Sequence, residues 1–249
     1  MTPRQRRMLV LCGCAGLLVL VLAGLHGLAA VGHVTSRVGR LSAHISLRER
    51  HVTDAVSGVN FDLRGLDTLG EEFILFAASA GAAVLLRRLR DEREERRAAE
   101  RDEDRGATTS GALRALGATL VGPVIVLGGY VVTHGHLTPG GGFQGGVILA
   151  AALVLVYVAG QSVAVGERTV GLLDAVGAAG AAGFALLGVG GLIFATAILE
   201  NFLRLGTPGH QLSGGTIPLA NLAVGIEVAG AVIAIVSEFL DQTLLRRRG

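Results

Sequence analysis

Residues 113–163 read LRALGATLVGPVIVLGGYVVT (113–133), HGHLTPGGG (134–142) and FQGGVILAAALVLVYVAGQSV (143–163). The outer segments are apolar runs of 21 residues each, and a helix of about 20 residues spans the hydrocarbon core of a bilayer. In the central segment Pro139 ends any continuing helix, and three glycines let the chain turn without side-chain obstruction. This stretch therefore predicts two transmembrane helices joined by a tight turn.

Four further apolar runs lie outside this pair, at Met8 to about Val31, about Thr68 to Leu86, 170–199 and 219–240. A cleaved signal peptide is the alternative for the first run, because Ala29 and Ala30 suit a processing site, although the run is long for one. The run 170–199 exceeds what a bilayer requires, so we expect it to tilt or break. The chain is predicted to be an all-α integral membrane protein with about six transmembrane helices.

The composition supports this class. The 249 residues are 51% hydrophobic and include 38 glycines and no tryptophan. Abundant glycine suits helices that pack closely in lipid, because small residues let backbones approach. The arginines flank the apolar runs and form no patch on a polar domain, which disfavours a nucleic-acid partner. Cys12 and Cys14 have no potential metal ligands nearby, so we predict no cofactor and no metal site.

The charged run DEREERRAAERDEDRG, residues 91–106, divides the chain. We predict a two-helix module at 1–90, a charged linker at 91–109 and a four-helix module at 110–249. With both termini in the cytoplasm, 16 of the 22 arginines fall on the cytoplasmic side, in agreement with the positive-inside rule. Both termini are therefore predicted to be cytoplasmic.

The turn between the third and fourth apolar runs is the first candidate site. A phosphate-binding loop is excluded, because neither a preceding strand nor a Gly-Lys-Ser/Thr sequence is present. The number of glycines exceeds what a turn requires, which favours helix packing or subunit contact over a plain turn. The two histidines have no third ligand close in sequence and are best interpreted as polar anchors, with proton exchange as the alternative. The candidates are His134, His136, Pro139, Gly140, Gly141, Gly142, Phe143, Gln144, Gly145 and Gly146.

Acidic residues at or inside the apolar runs form the second candidate site. In DLRGLDTLGEE (62–72), Thr68 and Glu71 have capping-box spacing, which predicts a helix start and places Glu71 and Glu72 in its first turn. A carboxylate at this membrane edge can cap the helix, or it can carry a proton or a cation. Glu227 lies several residues inside the last run, where a charge is costly and should face protein or water. The candidates for an ion path are Asp62, Arg64, Asp67, Glu71 and Glu227.

Two motifs carry a resemblance to a known family. HGHLTPGGGFQGG (134–146) and GHQLSGGTIPLANLAVGIEV (209–228) resemble the MnhB/MrpB family, the B-type subunits of the Mrp-type multisubunit sodium/proton antiporters. This resemblance covers about 110–245. DLRGLDTLGEE resembles the C-terminal part of the large A-type antiporter subunit, or the equivalent small subunit of membrane-bound hydrogenases, with Leu63 and Leu66 replacing two phenylalanines. The chain therefore looks like a fusion of two modules.

The resemblance implies an accessory membrane subunit of a sodium/proton antiporter, contributing to assembly and to the ion path, rather than an enzyme. The implied partners are large proton-pumping-type subunits and small subunits, membrane lipid, Na⁺ and H⁺. The implied location is the prokaryotic plasma membrane. The carboxylate that closes the motif of the large A-type subunit corresponds to Glu71. Two alternatives stay open: an ion-coupling subunit in the membrane arm of a hydrogenase-type complex, and a purely structural scaffold.

Overall fold

The computed structural model describes residues 3–26, 36–86, 110–158 and 167–246. All regular structure in these ranges is helical, and no strand occurs within them. The chain forms two compact units, Met1–Leu41 and Ser42–Gly249. A π-helical turn, Val59–Leu63, precedes the fourth helix. The helices are α1 (Pro3–His26), α2 (Arg37–Arg48), α3 (Ala55–Gly58), α4 (Gly65–Leu85), α5 (Gly111–Thr133), α6 (Gly142–Val158), α7 (Glu167–Phe194) and α8 (Ile217–Arg246).

Six of these helices are apolar. In α4, α5, α7 and α8 the apolar segment is long enough to cross a bilayer, and Leu11–His26 of α1 and Gly142–Val156 of α6 are shorter apolar segments. In lipid, each backbone N–H and C=O group must find its hydrogen-bond partner within the protein. A helix provides these partners within a single segment. The prediction of an all-α, multi-pass membrane protein is confirmed.

Helix α8 is the centre of the unit Ser42–Gly249, where it packs against α4, α5, α6 and α7. The segments 50–64, 134–141 and 195–216 lie at one side of the helices. Helices α4, α6 and α8 begin beside these segments, and helices α5 and α7 end beside them. We call this side the loop face, and the side where α4 ends and α7 begins the opposite face. Beneath the loop face lies an apolar cluster of Val52, Phe61, Phe184, Leu199, Ile217, Ala220, Val224 and Val228.

One helix start differs from the prediction, and the break that was expected in the run 170–199 is found. Helix α4 begins at Gly65, and the predicted capping box does not form, because the Thr68 hydroxyl instead donates to the carbonyl oxygen of Asn60 at 2.7 Å. The preceding π-helical turn brings that carbonyl over the first turn of α4. The run 170–199 breaks at Phe194; Leu199 then adopts a left-handed φ of 60°.

The linker 91–109 and the residues Ala29 and Ala30 lie outside the described residues. The division into modules at 1–90 and 110–249 and the cytoplasmic position of both termini therefore stay predictions.

Candidate functional site

Two buried glutamates meet between α4 and α8. Glu72 is 2% exposed and Glu227 is fully buried, and their carboxyl groups are close enough to interact electrostatically. Apart from the opposing carboxyl group, Oε2 of Glu72 and both carboxyl oxygens of Glu227 have no hydrogen-bond partner in the described structure. Two ion pairs in the described structure join Arg50 to Asp62 and Arg64 to Asp67, and neither glutamate takes part in them. The two glutamates thus form a carboxyl pair without a protein cation among the described residues.

The chemistry of such a pair is restricted. Two carboxylates at short range in a medium of low dielectric cannot both be ionised unless a cation lies between or beside them. Their protonation states are linked, so uptake of a proton or a cation by one changes the other. The pair can therefore hold a proton or a monovalent cation, and exchange of one for the other is a chemically reasonable function.

Glycines of α7 make room for Glu227. A Cβ on Gly180 would lie 2.6 Å from the backbone nitrogen and 2.9 Å from the Cβ of Glu227. Further along the same contact, a Cβ on Gly230 would lie 2.9 Å from Cα of Gly177. The backbones of α7 and α8 therefore touch on both sides of Glu227, as small residues allow in membrane helices. This contact covers Glu227 from the side of α7.

The glycine turn packs on Asn221. The first backbone N–H of α6, on Gly142, donates to Oδ1 of Asn221 at 3.0 Å. A Cβ on Gly135 would lie 2.6 Å from the same oxygen, and a Cβ on Gly142 would lie 2.3 Å from the Asn221 carbonyl oxygen. Gly145 and Gly146 meet Val132 of α5 and Val228 of α8 in the same manner. The first backbone N–H of a helix has no partner within its own helix, and here the side-chain amide of Asn221 supplies one.

The segment before α4 is tied to the same turn. Oγ of Ser57 donates to the carbonyl oxygen of Gly135 at 2.5 Å, and Oγ1 of Thr53 donates to that of Leu137 at 2.6 Å. The backbone N–H of Asp54 donates to the carbonyl oxygen of His136 at 3.2 Å. These bonds join residues 53–57 to the turn that precedes α6 and so fix α4 relative to α8.

The two histidines of the turn have separate environments. The ring of His134 stacks on Tyr130 with centroids 4.1 Å apart. His136 is fully buried; its Nε2 bonds the Gln211 carbonyl oxygen at 3.1 Å, which fixes Nε2 as the protonated nitrogen. Within the described residues no group of three His, Cys, Asp or Glu side chains could hold a metal ion.

Burial lowers the pKa of His136 below its ordinary value, against smaller opposing effects of backbone hydrogen bonds. Below a pH of about 6.5 the unfolded chain takes up a proton on this imidazole that the folded chain takes up only at lower pH. We therefore expect the free energy of unfolding to fall as pH decreases from about 7.5 to about 5.5, measured as thermal unfolding in detergent. His136→Gln, which keeps a donor for Gln211, should make this dependence shallower. An unchanged slope would assign the pH dependence to other groups.

The remaining sequence-predicted candidates lie at the beginning of α4 and in the glycine turn. Nε of Arg50 donates to Oδ2 of Asp62 at 2.6 Å, and Arg64 pairs with Asp67. Glu71 is exposed. The structure thus brings Glu227 together with Glu72 rather than with the exposed Glu71.

The other residues of the turn differ in exposure. Pro139, Phe143 and Gln144 are exposed, whereas Gly141 is buried. Gly140 has a φ of +147°, a conformation suited to glycine. The buried glycines of the turn therefore face the helices of this chain, while its proline, aromatic and amide side chains face outward.

Three other acidic residues in or beside the apolar runs are outside the pair. The exposed carboxylate of Glu200 accepts from the backbone N–H groups of Thr196 and Ala197 at 2.8 and 2.9 Å. Hydrogen bonds from Thr196 hold the pKa of Glu200 below its usual value. Glu238 is half-buried near the end of α8, and the side chain of Asp174 lies outside the described structure.

Residues 112–234 match the model of a family described as a domain related to the MnhB subunit of Na⁺/H⁺ antiporters. An uncharacterized protein of Methanocaldococcus jannaschii is 33% identical over 191 residues, which cover 71% of this chain and 73% of that protein. A probable A/B subunit of a K⁺/H⁺ antiporter of Rhizobium meliloti is 31% identical over 136 residues, covering 49% of this chain and 14% of that protein.

Two solved structures share the fold. A chain of the membrane-bound sulfane sulfur reductase, an archaeal respiratory membrane complex, superposes with a TM-score of 0.67 at 28% identity, covering 95% of this chain and 98% of that one. A chain of the Mrp complex from Dietzia sp. DQ12-45-1b superposes with a TM-score of 0.65 at 21% identity, covering 96% of this chain and 26% of that one.

Proposed function

The chain belongs to the family of domains related to the MnhB subunit of Na⁺/H⁺ antiporters, and we propose from this that it is a membrane component of a multisubunit cation/proton antiporter. In this proposal it packs against larger subunits and contributes Glu72 and Glu227 to the ion path. The transported cation is Na⁺ or another monovalent cation.

The observation that carries the proposal is the carboxyl pair without a protein cation among the described residues. Both residues are buried, and their oxygens have almost no partners in the described structure. Burying two carboxyls within a membrane protein is costly, and ionisable residues at such depth mark ion or proton pathways. A scaffold helix would gain from replacing both by apolar residues, because buried charged groups seldom add stability.

The similar proteins support the idea of two modules in one chain. The Rhizobium meliloti relative is named as a combined A/B subunit, and this chain aligns with 26% of the Mrp chain. The sulfane sulfur reductase chain matches over nearly its whole length. Hydrogen bonds from residues 53–57 to the glycine turn supply a physical reason for joining the modules, since they hold Glu72 against Glu227.

A second function has its own support. The sulfane sulfur reductase is described as a respiratory membrane complex, so a chain of this fold could couple ion movement to electron transfer in other chains. Redox centres would then lie in partners. An antiporter and a respiratory complex differ in those partners, while the role of the carboxyl pair is the same in both.

Purification of the intact complex tests this proposal. The chain would be tagged at its C-terminus, extracted in mild detergent, and analysed with every protein that co-purifies. Large antiporter-type subunits without metal centres support the antiporter. Iron–sulfur or nickel proteins would assign the chain to a respiratory arm instead, and a monodisperse protein without partners would contradict membership of a complex altogether.

A further inference from the structure

A cavity of about 450 Å³ lies between α4, α7 and α8 on one side of the carboxyl pair. Its polar lining comes from Glu227 and Ser79, and most of the remaining lining is alanine and glycine. Outside the carboxyl pair, neither carboxyl oxygen of Glu227 has a hydrogen-bond partner in the described structure. The cavity has the volume of several water molecules at about 30 Å³ each, and Glu227 and Ser79 are the side chains that can supply polar contacts to water at its inner end.

Among the described residues, the lining of the cavity lies on one side of Glu227. From Glu227 it reaches past Ser79 and Ala83 to Val84, near the end of α4, and along α7 it is lined by Ala175 and Ala178. At 1.5 Å per helical residue, Val84 lies about 18 Å beyond Glu72 along α4. The lining residues of α7 belong to its first half, which also lies towards the opposite face. The described lining of the cavity therefore extends from Glu227 towards the opposite face.

The other direction is filled. Phe184 lies one helical turn from Gly180, which contacts Glu227, and it packs edge-to-face on Phe61 with ring centroids 5.7 Å apart. Val224 lies one turn before Glu227 and is 1% exposed. These side chains belong to the apolar cluster beneath the loop face, where close packing excludes water.

We infer that the carboxyl pair has one-sided access: water, and with it a proton or a monovalent cation, reaches Glu227 through the cavity from the opposite face, while the apolar cluster closes the route from the loop face. This inference rests on the proposed function of the pair. Small side chains along the route serve it by leaving space, and Ser79 supplies a hydroxyl contact part of the way. Exchange with the loop face then requires the apolar cluster to rearrange or a partner protein to supply the second route.

Cysteine accessibility in the intact complex tests the inference. In a chain carrying Cys12→Ser and Cys14→Ser, Ala178→Cys would be treated with methanethiosulfonate ethyltrimethylammonium, a charged reagent. A hydrated thiolate attacks the sulfenyl sulfur of this reagent, which forms a mixed disulfide and releases methanesulfinate. Right-side-out and inverted membrane vesicles expose one face each. Ala179→Cys is the matched control, because Ala179 is its neighbour, is exposed on α7 and does not line the cavity.

We expect labelling of Ala178→Cys from the opposite face, none from the loop face, and loss of transport once the thiol is modified, with Ala179→Cys unlabelled. Labelling from both faces or from neither would overturn one-sided access; the latter would mean that lipid or a partner side chain fills the cavity. The proposed function is tested separately by Glu227→Gln. Loss of transport in that variant, together with an unlabelled Ala178→Cys, would refute the route and leave the function standing.

Discussion

Glu227→Gln is expected to reduce cation/proton exchange to the level of vesicles that lack the complex, and Glu72→Gln is expected to do the same. Glutamine has nearly the shape of glutamate but cannot release a proton or carry a negative charge. A pair with one glutamine retains at most one charge, so it cannot pass between a protonated and a cation-bound state in the same manner. Packing around both positions should persist, and the complex should assemble.

The measurement is cation-driven proton movement in vesicles, with the yield of assembled complex determined in parallel. Glu71→Gln is the matched control, since Glu71 is adjacent to Glu72 in sequence but exposed. Exchange lost in Glu71→Gln and retained in Glu72→Gln would assign the site to the residue that the family motif indicates. Normal exchange in all three variants would leave the chain as a scaffold.

The apolar runs were sufficient to predict six apolar helices, four of which are long enough to cross a bilayer, because a segment in lipid must satisfy its own backbone hydrogen bonds. The apolar runs did not predict the structure of the segments that connect them. Helix α2, the four-residue α3 and the π-helical turn Val59–Leu63 lie in a mixed polar region without a long apolar period. Their conformation depends on contacts with residues far along the chain, such as the bond from Asp54 to His136.

The candidate site was predicted only in part. Glu227 followed from its depth in an apolar run, whereas Glu71 was chosen over Glu72 because it corresponds to the carboxylate that closes the family motif. The helical period held the missing signal: Thr68, Glu72 and Ser79 recur at intervals of four and seven residues and are all buried on one face of α4. That Glu72 meets Glu227 could not be predicted, because it depends on how α4 packs against α8.

For the glycine turn as well, the sequence indicated the kind of contact but not the residue that is contacted. Surplus glycine suggested helix packing or subunit contact at the turn, and Gly142, Gly145 and Gly146 lie close to atoms of neighbouring helices. The sequence could not identify the residue that they approach, since Asn221 is 79 residues beyond Gly142. An asparagine inside an apolar run has the polar groups to bond a helix terminus, but which terminus it meets is decided by the tertiary fold.

Gly142→Ala is expected to destabilise the folded chain by about 1–3 kcal/mol, or to prevent folding, because overpacking at a rigid contact forces backbone shifts. The new Cβ would lie 2.3 Å from the carbonyl oxygen of Asn221 and 2.9 Å from the backbone nitrogen of Gly225. Both are backbone atoms of α8, so no side-chain rotation relieves the clash. Separation of α6 from α8 would also lengthen the bond from Gly142 to Asn221.

Thermal unfolding of the purified protein in detergent measures this effect, and Gly129→Ala provides the control within the neighbouring helix α5. A Cβ on Gly129 would meet no atom within 4 Å, and alanine is favoured over glycine inside a helix by roughly 0.5–1 kcal/mol. The two substitutions should therefore change stability in opposite directions although the chemical change is identical. A similar shift in both variants would mean that the contact between α6 and α8 yields easily, and that the glycines of the turn are retained for flexibility instead of close packing.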